Sequence, residues 1–100
     1  MDFADELSLL PGVESVWVSV KGEEETLAIN FDDDPQNERM IDVLRVTSGE
    51  VARVLISDVS IRVGNDELRQ IVRAVAAGEY RTGDGCIHVR LPDGTVQSHC

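Results

Sequence analysis

Four residues near the end of the chain can bind metal ions or form a disulfide: Cys86, His88, His99 and Cys100. Pro92-Asp93-Gly94 lies between the two pairs and predicts a tight turn, so the flanking segments should form a β-hairpin. If Asp93-Gly94 is a two-residue turn, His88 lies opposite His99, with Cys86 next on the same face. Opposed residues of an antiparallel pair have Cβ atoms about 4.5–5.5 Å apart. Cys86, His88 and His99 could then hold zinc or copper, because both metals accept thiolate and imidazole ligands.

A second register of this hairpin is also open. A three-residue loop with a glycine bulge pairs Leu91 with Thr95 and sets Cys86 opposite Cys100, which suits a disulfide rather than a metal site. The first register weakens the closing pair of the turn, because proline has no N–H group. The second register places Val96 on the polar face of the hairpin.

Two cysteines in 100 residues are too few for a disulfide scaffold, so the simplest expectation is two reduced thiols.

Trp17, the only tryptophan, lies in a segment that alternates between two faces. Within residues 13–20, Val16, Val18 and Val20 lie on one face of the predicted strand, and Ser15, Trp17 and Ser19 lie on the other. The next strand adds Ala28 to the face of Trp17. A large aromatic side chain among small polar neighbours is typical of an interface anchor, since tryptophan is enriched at binding hot spots. We predict that Ser15, Trp17, Ser19 and Ala28 bind a protein partner or a second copy of the chain. The alternative is that another element covers Trp17.

Catalytic motifs are absent from the sequence. It contains no glycine-rich phosphate loop after a strand, no HExxH and no nucleophile elbow. Gly83-Asp84-Gly85 predicts a turn and fits nucleotide-binding fingerprints poorly. We therefore expect a protein that is not an enzyme.

The hydrophobic pattern predicts the element order α-β-β-α-β-α-β-β. The predicted helices cover residues 2–10, 35–55 and 65–78, and the predicted strands cover residues 13–20, 27–31, 59–63, 86–91 and 95–99. Asp34 as the N-cap and Pro35 as the first residue indicate the start of the second helix. Gly49 weakens that helix by roughly 1 kcal/mol, so the alternative is a helix that ends near Thr47 and a strand from Val51 onwards.

Alternating strands and amphipathic helices together predict the fold class. Residues 1–100 are expected to form a single α+β domain, since single cores commonly run to about 100–150 residues. The predicted architecture is a two-layer sandwich with a largely antiparallel sheet and helices on one face.

Two segments carry a family resemblance: Leu10-Pro11-Gly12-Val13-Glu14-Ser15-Val16 and Ala28-Ile29-Asn30-Phe31-Asp32. They resemble the middle of heavy-metal-associated domains, over residues 3–45 in total. The resemblance implies a ferredoxin-like arrangement. That family binds copper or related ions through two cysteines, separated by two residues, before the first helix. The chain has no such pair, so the resemblance assigns a metal role to none of its residues.

The charge of the chain limits its partners. Nineteen acidic and nine basic residues give a net charge of −10, which argues against direct binding to nucleic acid or to an anionic membrane. The sequence has no apolar stretch of membrane-spanning length and no basic region in its first residues, so we expect a cytoplasmic protein. The two acidic triplets, Glu23-Glu24-Glu25 and Asp32-Asp33-Asp34, are expected to be solvated turns.

These features favour a small acidic module for protein–protein interaction or self-association, for example as a homodimer. The alternative is a metal-handling or redox protein that uses the Cys/His cluster of the last hairpin. A weaker alternative is an acidic mimic of nucleic acid, which would need its carboxylates along one surface. The two triplets are predicted at opposite ends of one strand, which disfavours a continuous stripe.

Overall fold

A computed structural model describes residues 2–100 and confirms the α+β class. The helices are α1 (Phe3–Ser8) and α2 (Asn65–Ala76). The larger sheet consists of β1 (Val13–Lys21), β2 (Glu24–Phe31), β3 (Ile41–Val46), β4 (Val51–Ile56) and β5 (Val59–Gly64). The smaller sheet consists of β6 (Tyr80–Gly83), β7 (Cys86–Arg90) and β8 (Val96–His99).

Both sheets are antiparallel meanders. The strand order is β1-β2-β3-β4-β5 in the larger sheet and β6-β7-β8 in the smaller one, so each strand pairs with its neighbour in the sequence. A ferredoxin-like fold instead joins strands through helical crossovers. The expectation of a ferredoxin-like arrangement is therefore wrong for residues 2–100.

The predicted second helix is wrong, because residues 35–55 form a loop followed by β3 and β4. Buried side chains occur at every second position of both strands, Ile41 and Val43 in β3 and Ala52, Val54 and Ile56 in β4. Pairing with β2 on one side and β5 on the other stabilises these strands, and such tertiary context overrides local helix propensity. The alternative of a strand from Val51 is confirmed for β4.

The capping residue predicted for that helix caps a turn instead. The Asp34 carboxylate accepts the backbone N–H groups of Glu38 and Arg39 at 3.0 and 2.9 Å. This is the chemistry expected of an N-cap side chain, but the chain continues into β3 rather than into a helix.

The predictions for the other helices are close to the structure. Asp2 caps α1 by accepting the Asp5 N–H at 2.8 Å. The cap of α2 is Gly64 rather than Asn65, and the Glu67 carboxylate accepts the Gly64 N–H at 3.2 Å. Strand β6 was not predicted.

One face of the larger sheet forms the core. Helix α1 packs on β1, while α2 contacts β4, β5 and also β7 of the smaller sheet. One cluster of buried residues contains side chains from both helices and both sheets. No helix within residues 2–100 combines the length and the apolar character needed to cross a membrane.

Candidate functional site

The opposite face of the larger sheet is the candidate site, and we call it the outer face. The pairing register assigns alternate residues of each strand to it. Its members are Ser15, Trp17, Ser19 and Lys21 of β1, Glu24, Thr26, Ala28 and Asn30 of β2, Asp42, Leu44 and Val46 of β3, Val51, Arg53 and Leu55 of β4, and Ser60 and Arg62 of β5.

Trp17 lies on the outer face with its side chain open to solvent. It is 70% exposed, and it pairs directly with Ala28 of β2. Ala28 in turn pairs with Asp42. The small alanine leaves the indole without a bulky neighbour along the β2 direction. Within residues 2–100, no other element covers Trp17, so the alternative of internal packing is wrong.

The structure places all four predicted partner-binding residues on the same face. Ser15 pairs with Asn30 and Ser19 pairs with Thr26, on either side of the Trp17–Ala28 pair. The strand parity read from the sequence is thus confirmed. Binding of a partner by Ser15, Trp17, Ser19 and Ala28 stays a prediction.

Three further exposed apolar residues of the outer face were missed by the sequence analysis. Leu44, Val46 and Val51 are exposed large hydrophobic side chains, and they lie beside Arg53 and Arg62 at a shallow cavity of about 390 Å³. The sequence signal was the alternation of residues 41–46, which a helix assignment conceals. The apolar part of the outer face is therefore wider than the surroundings of Trp17.

The outer face carries almost none of the negative charge of the protein. Its bases are Lys21, Arg53 and Arg62, and its acids are Glu24 and Asp42. Three bases against two acids give a charge of about +1, whereas the whole chain carries −10. The excess of acidic residues therefore lies on the other surfaces.

The last hairpin adopts the second of the two registers considered above. Ile87 pairs with His99 and His88 with Ser98, and the Leu91 N–H donates to the Thr95 carbonyl at 2.8 Å. The register with a two-residue turn is therefore wrong.

Asp93 explains this choice of register. Its carboxylate accepts the backbone N–H of Thr95 at 2.9 Å and the Thr95 hydroxyl at 2.6 Å. Such local side-chain bonds stabilise a turn around the aspartate. The spacing of an aspartate and a threonine two residues later was the signal that could have identified the loop.

This register separates the predicted metal ligands. His88 and His99 lie at adjacent pair positions and so point to opposite faces of the hairpin. The Nδ1 atom of His88 lies 2.6 Å from the Ser98 hydroxyl, and that of His99 lies 3.2 Å from a carboxylate oxygen of Glu67.

The two cysteines form a disulfide between Cys86 and Cys100, so the expectation of reduced thiols is wrong. The structure does not bring Cys86, His88 and His99 together. Among residues 2–100, no group of three or more His, Cys, Asp or Glu side chains could hold a metal ion.

The hydrogen bonds from Thr95 also make the turn sensitive to acid. They lower the pKa of Asp93 below its ordinary value, with the side-chain bond contributing most and the backbone bond next. A carboxyl group with a depressed pKa in the folded state stabilises the fold above its unfolded-state pKa, and this contribution is lost as the pH falls through the folded-state value.

We therefore expect Asp93→Ala to lower Tm at neutral pH, and we expect the difference from the wild type to shrink once acid protonates Asp93. Thermal unfolding over a pH series measures both curves. A difference that stays constant into strongly acidic solution would contradict the hydrogen-bonded carboxylate.

Comparisons with known proteins give no identification. The chain matches no known protein family, no curated protein and no solved structure. The resemblance of its first half to heavy-metal-associated domains is thus not accompanied by a family match. A function for this chain rests on its own residues and their geometry.

Proposed function

We propose that this protein is a small acidic module without enzymatic activity that associates with a second copy of itself through the outer face. The observation that carries the proposal is Trp17, which is 70% exposed on a face with nearly balanced charge. Tryptophan is costly to leave in water and is enriched among the residues that dominate interface energies. The exposed Leu44, Val46 and Val51 extend the apolar surface available to a partner.

Charge favours a second copy on this face over approach by other surfaces. Two molecules that each carry −10 repel each other wherever their acidic surfaces meet. The outer face, with Lys21, Arg53 and Arg62 against Glu24 and Asp42, avoids most of that repulsion. A homodimer formed here also removes Trp17 of both copies from water.

Replacing Trp17 by alanine tests this proposal. We expect Trp17→Ala to raise the dissociation constant of the dimer by roughly 30-fold, the value for a hot-spot residue worth about 2 kcal/mol. The fold should be unchanged, because substitutions of exposed side chains usually alter stability by less than about 0.5 kcal/mol. Sedimentation equilibrium gives the dissociation constant, and circular dichroism checks the fold.

Leu9→Ala is the matched control, since Leu9 is 69% exposed and lies at the end of α1, away from the outer face. Its removal should leave the dimer unchanged. A folded Trp17→Ala protein that dimerises as tightly as the wild type would refute the role of this face.

One observation, the Cys86–Cys100 disulfide, favours a second candidate function in redox chemistry. A metal role would first need reduction of this bond, because a disulfide sulfur is not a thiolate ligand. Because His99 lies on the opposite face of the hairpin from His88 and Cys86, a metal site also needs a change of register in the reduced protein. Stoichiometric zinc or copper on the reduced protein at neutral pH, lost when His88 and His99 are replaced, would demonstrate such a site. Loss of the metal to a weak competing chelator would eliminate the metal hypothesis.

A cytoplasmic location remains the proposal from the sequence. Disulfides are rare in reducing compartments, where glutathione and thioredoxin keep thiols reduced. In such a compartment Cys86 and Cys100 would be mostly reduced. The outer face lies on the larger sheet, so self-association does not require this bond.

A further inference from the structure

Strand β1 forms an open edge of the larger sheet. It pairs with β2 on one side and with no strand of residues 2–100 on the other. Proteins usually protect such an edge with charged residues, proline, bulges or a short strand, because its free N–H and C=O groups can bind another strand. β1 is nine residues long, and its irregularity lies at the start, between Val13 and Ser15. Residues 15–20 contain neither a charge nor a proline.

Apolar side chains flank this edge on both faces of the sheet. Trp17 lies on the outer face, while Val18 and Val20 point to the other face and are also exposed. Helix α1 packs on β1, but of the strand only Val13 is buried. The second half of β1 thus presents apolar surface on both faces next to unpaired backbone groups.

The sequence of the strand is symmetric about its tryptophan. Ser15-Val16-Trp17-Val18-Ser19 reads the same in both directions. When two copies of a strand pair antiparallel about a two-fold axis, each contact between two residues occurs twice. With the axis at Trp17, Trp17 faces Trp17 of the second copy, valine faces valine and serine faces serine.

The β1–β2 hairpin determines which backbone groups are free for this pairing. Gly22 has a φ of +63° and begins a two-residue turn closed by Lys21 and Glu24, as in a type II′ hairpin. The two residues that close such a turn form a hydrogen-bonded pair, and hydrogen-bonded and non-hydrogen-bonded pairs then alternate along the two strands. Trp17 therefore directs its N–H and C=O towards β2, whereas Val16 and Val18 direct theirs to the open edge.

The free groups match the symmetric register. Val16 of one copy would exchange hydrogen bonds with Val18 of the other, on both sides of the axis. The two Trp17 residues would form a non-hydrogen-bonded pair, in which Cα atoms are about 4.5 Å apart and side chains lie closest. Aromatic pairs at such positions contribute to sheet stability.

We propose that two copies join through β1, antiparallel and centred on Trp17, so that two five-stranded sheets become one continuous sheet. This inference rests on the proposed self-association and places the contact at the β1 border of the outer face, where Trp17 lies. Leu44, Val46 and Val51 belong to β3 and β4 and lie outside this contact. The occupant is a second copy rather than an unrelated strand because the register pairs like residues from Ser15 to Ser19. Residues 15–20 carry no charge, so two acidic molecules can meet along this part of the edge without setting like charges against each other.

Cysteine crosslinking tests the register directly. In the proposed dimer Ser15 of one copy faces Ser19 of the other, at a separation that allows a disulfide. A mixture of Ser15→Cys and Ser19→Cys proteins should therefore form a crosslinked dimer under mild oxidation, while neither protein should crosslink alone. Equal crosslinking in all three samples, or in none while the wild type dimerises, would overturn the register.

Substitutions at Val18 separate this inference from the proposed function. Val18→Pro and Val18→Lys should each weaken the dimer by roughly 30-fold or more, because they remove an edge N–H or add a charge at the edge. Val96→Lys is the control, since Val96 is also an exposed valine on an edge strand, at 58% against 48% for Val18.

If Trp17→Ala abolishes the dimer while both folded Val18 variants retain it, the two copies meet face to face. The edge pairing is then wrong and self-association stands. A wild-type protein that is monomeric at every concentration overturns both.

Discussion

Replacing Arg45 by methionine is expected to lower the free energy of unfolding by about 3 kcal/mol, the loss typical when one partner of a buried ion pair is removed. Arg45 and Glu25 are directly opposed on β3 and β2. Their side chains are only 8% and 13% exposed, with Nη1 of Arg45 3.5 Å from a carboxylate oxygen of Glu25. The substitution leaves the Glu25 carboxylate without its partner in a poorly hydrated place.

The surroundings of Arg45 make water a poor substitute for the lost guanidinium. The Arg45 guanidinium carbon lies 4.5 Å from the centre of the Phe3 ring, and that of Arg69 lies 5.1 Å from the same centre. Phe3 of α1 thus makes one cation–π contact with β3, through Arg45, and one with α2, through Arg69. The Nε atom of Arg45 already lacks a hydrogen-bond partner.

The double variant Glu25→Leu/Arg45→Met distinguishes the pair from simple packing. We expect it to regain most of the lost stability, because replacing both charges by apolar side chains is often neutral. Arg81→Met is the control for the chemical change, since Arg81 is exposed on β6. Urea denaturation gives the free energies. A loss below about 1 kcal/mol for Arg45→Met, within the range of surface pairs, would contradict a stabilising ion pair.

Loss of the disulfide is expected to lower the free energy of unfolding by about 3 kcal/mol, the value for a loop of about 15 residues. Cys86 and Cys100 are 14 residues apart in the sequence. Strand β8 supplies no residue to the buried core, and residues 96–98 are exposed. The covalent bond therefore provides a large part of what holds β8 on β7.

The effect should be local as well as global. In the Cys86→Ser/Cys100→Ser protein, amide hydrogen exchange should accelerate in β8 more than in β1–β5. Of the β8 side chains only that of His99 is largely buried, and an element with few buried contacts opens at low free energy. His99 should then lose its contact with Glu67 in the opened state. Reductant should destabilise the wild type and leave the double variant unchanged. A wild type whose unfolding free energy is insensitive to reductant would contradict this role.

The sequence predicts best those strands that have one apolar and one polar face. In β1 and β5 valine or isoleucine alternates with polar residues, so period and parity are readable, and Trp17 is assigned to its correct face. In β3 and β4 the outer-face residues Leu44, Val46 and Val51 are themselves apolar. Because apolar residues stand where a half-buried strand would have polar ones, the alternation is lost, and the spacing of the apolar residues matches that of a helix.

The last hairpin shows a different limit. The two registers differ by one residue in the pairing of the strands. The hydrophobic pattern favoured the register that keeps Val96 on the apolar face, whereas the structure has the other one, with Val96 58% exposed. The choice depends on hydrogen bonds from Thr95 to Asp93, and it decides whether Cys86 lies opposite Cys100. The candidate metal site and the disulfide thus differed by one local interaction.

Sedimentation equilibrium of the wild-type protein, over a range of protein and salt concentrations, tests self-association most directly. We expect a reversible dimer that tightens as salt increases, because salt screens the repulsion between two chains of charge −10. Trp17→Ala should dimerise roughly 30-fold more weakly than the wild type under the same conditions. A wild type that stays monomeric at every protein and salt concentration would contradict self-association through the outer face.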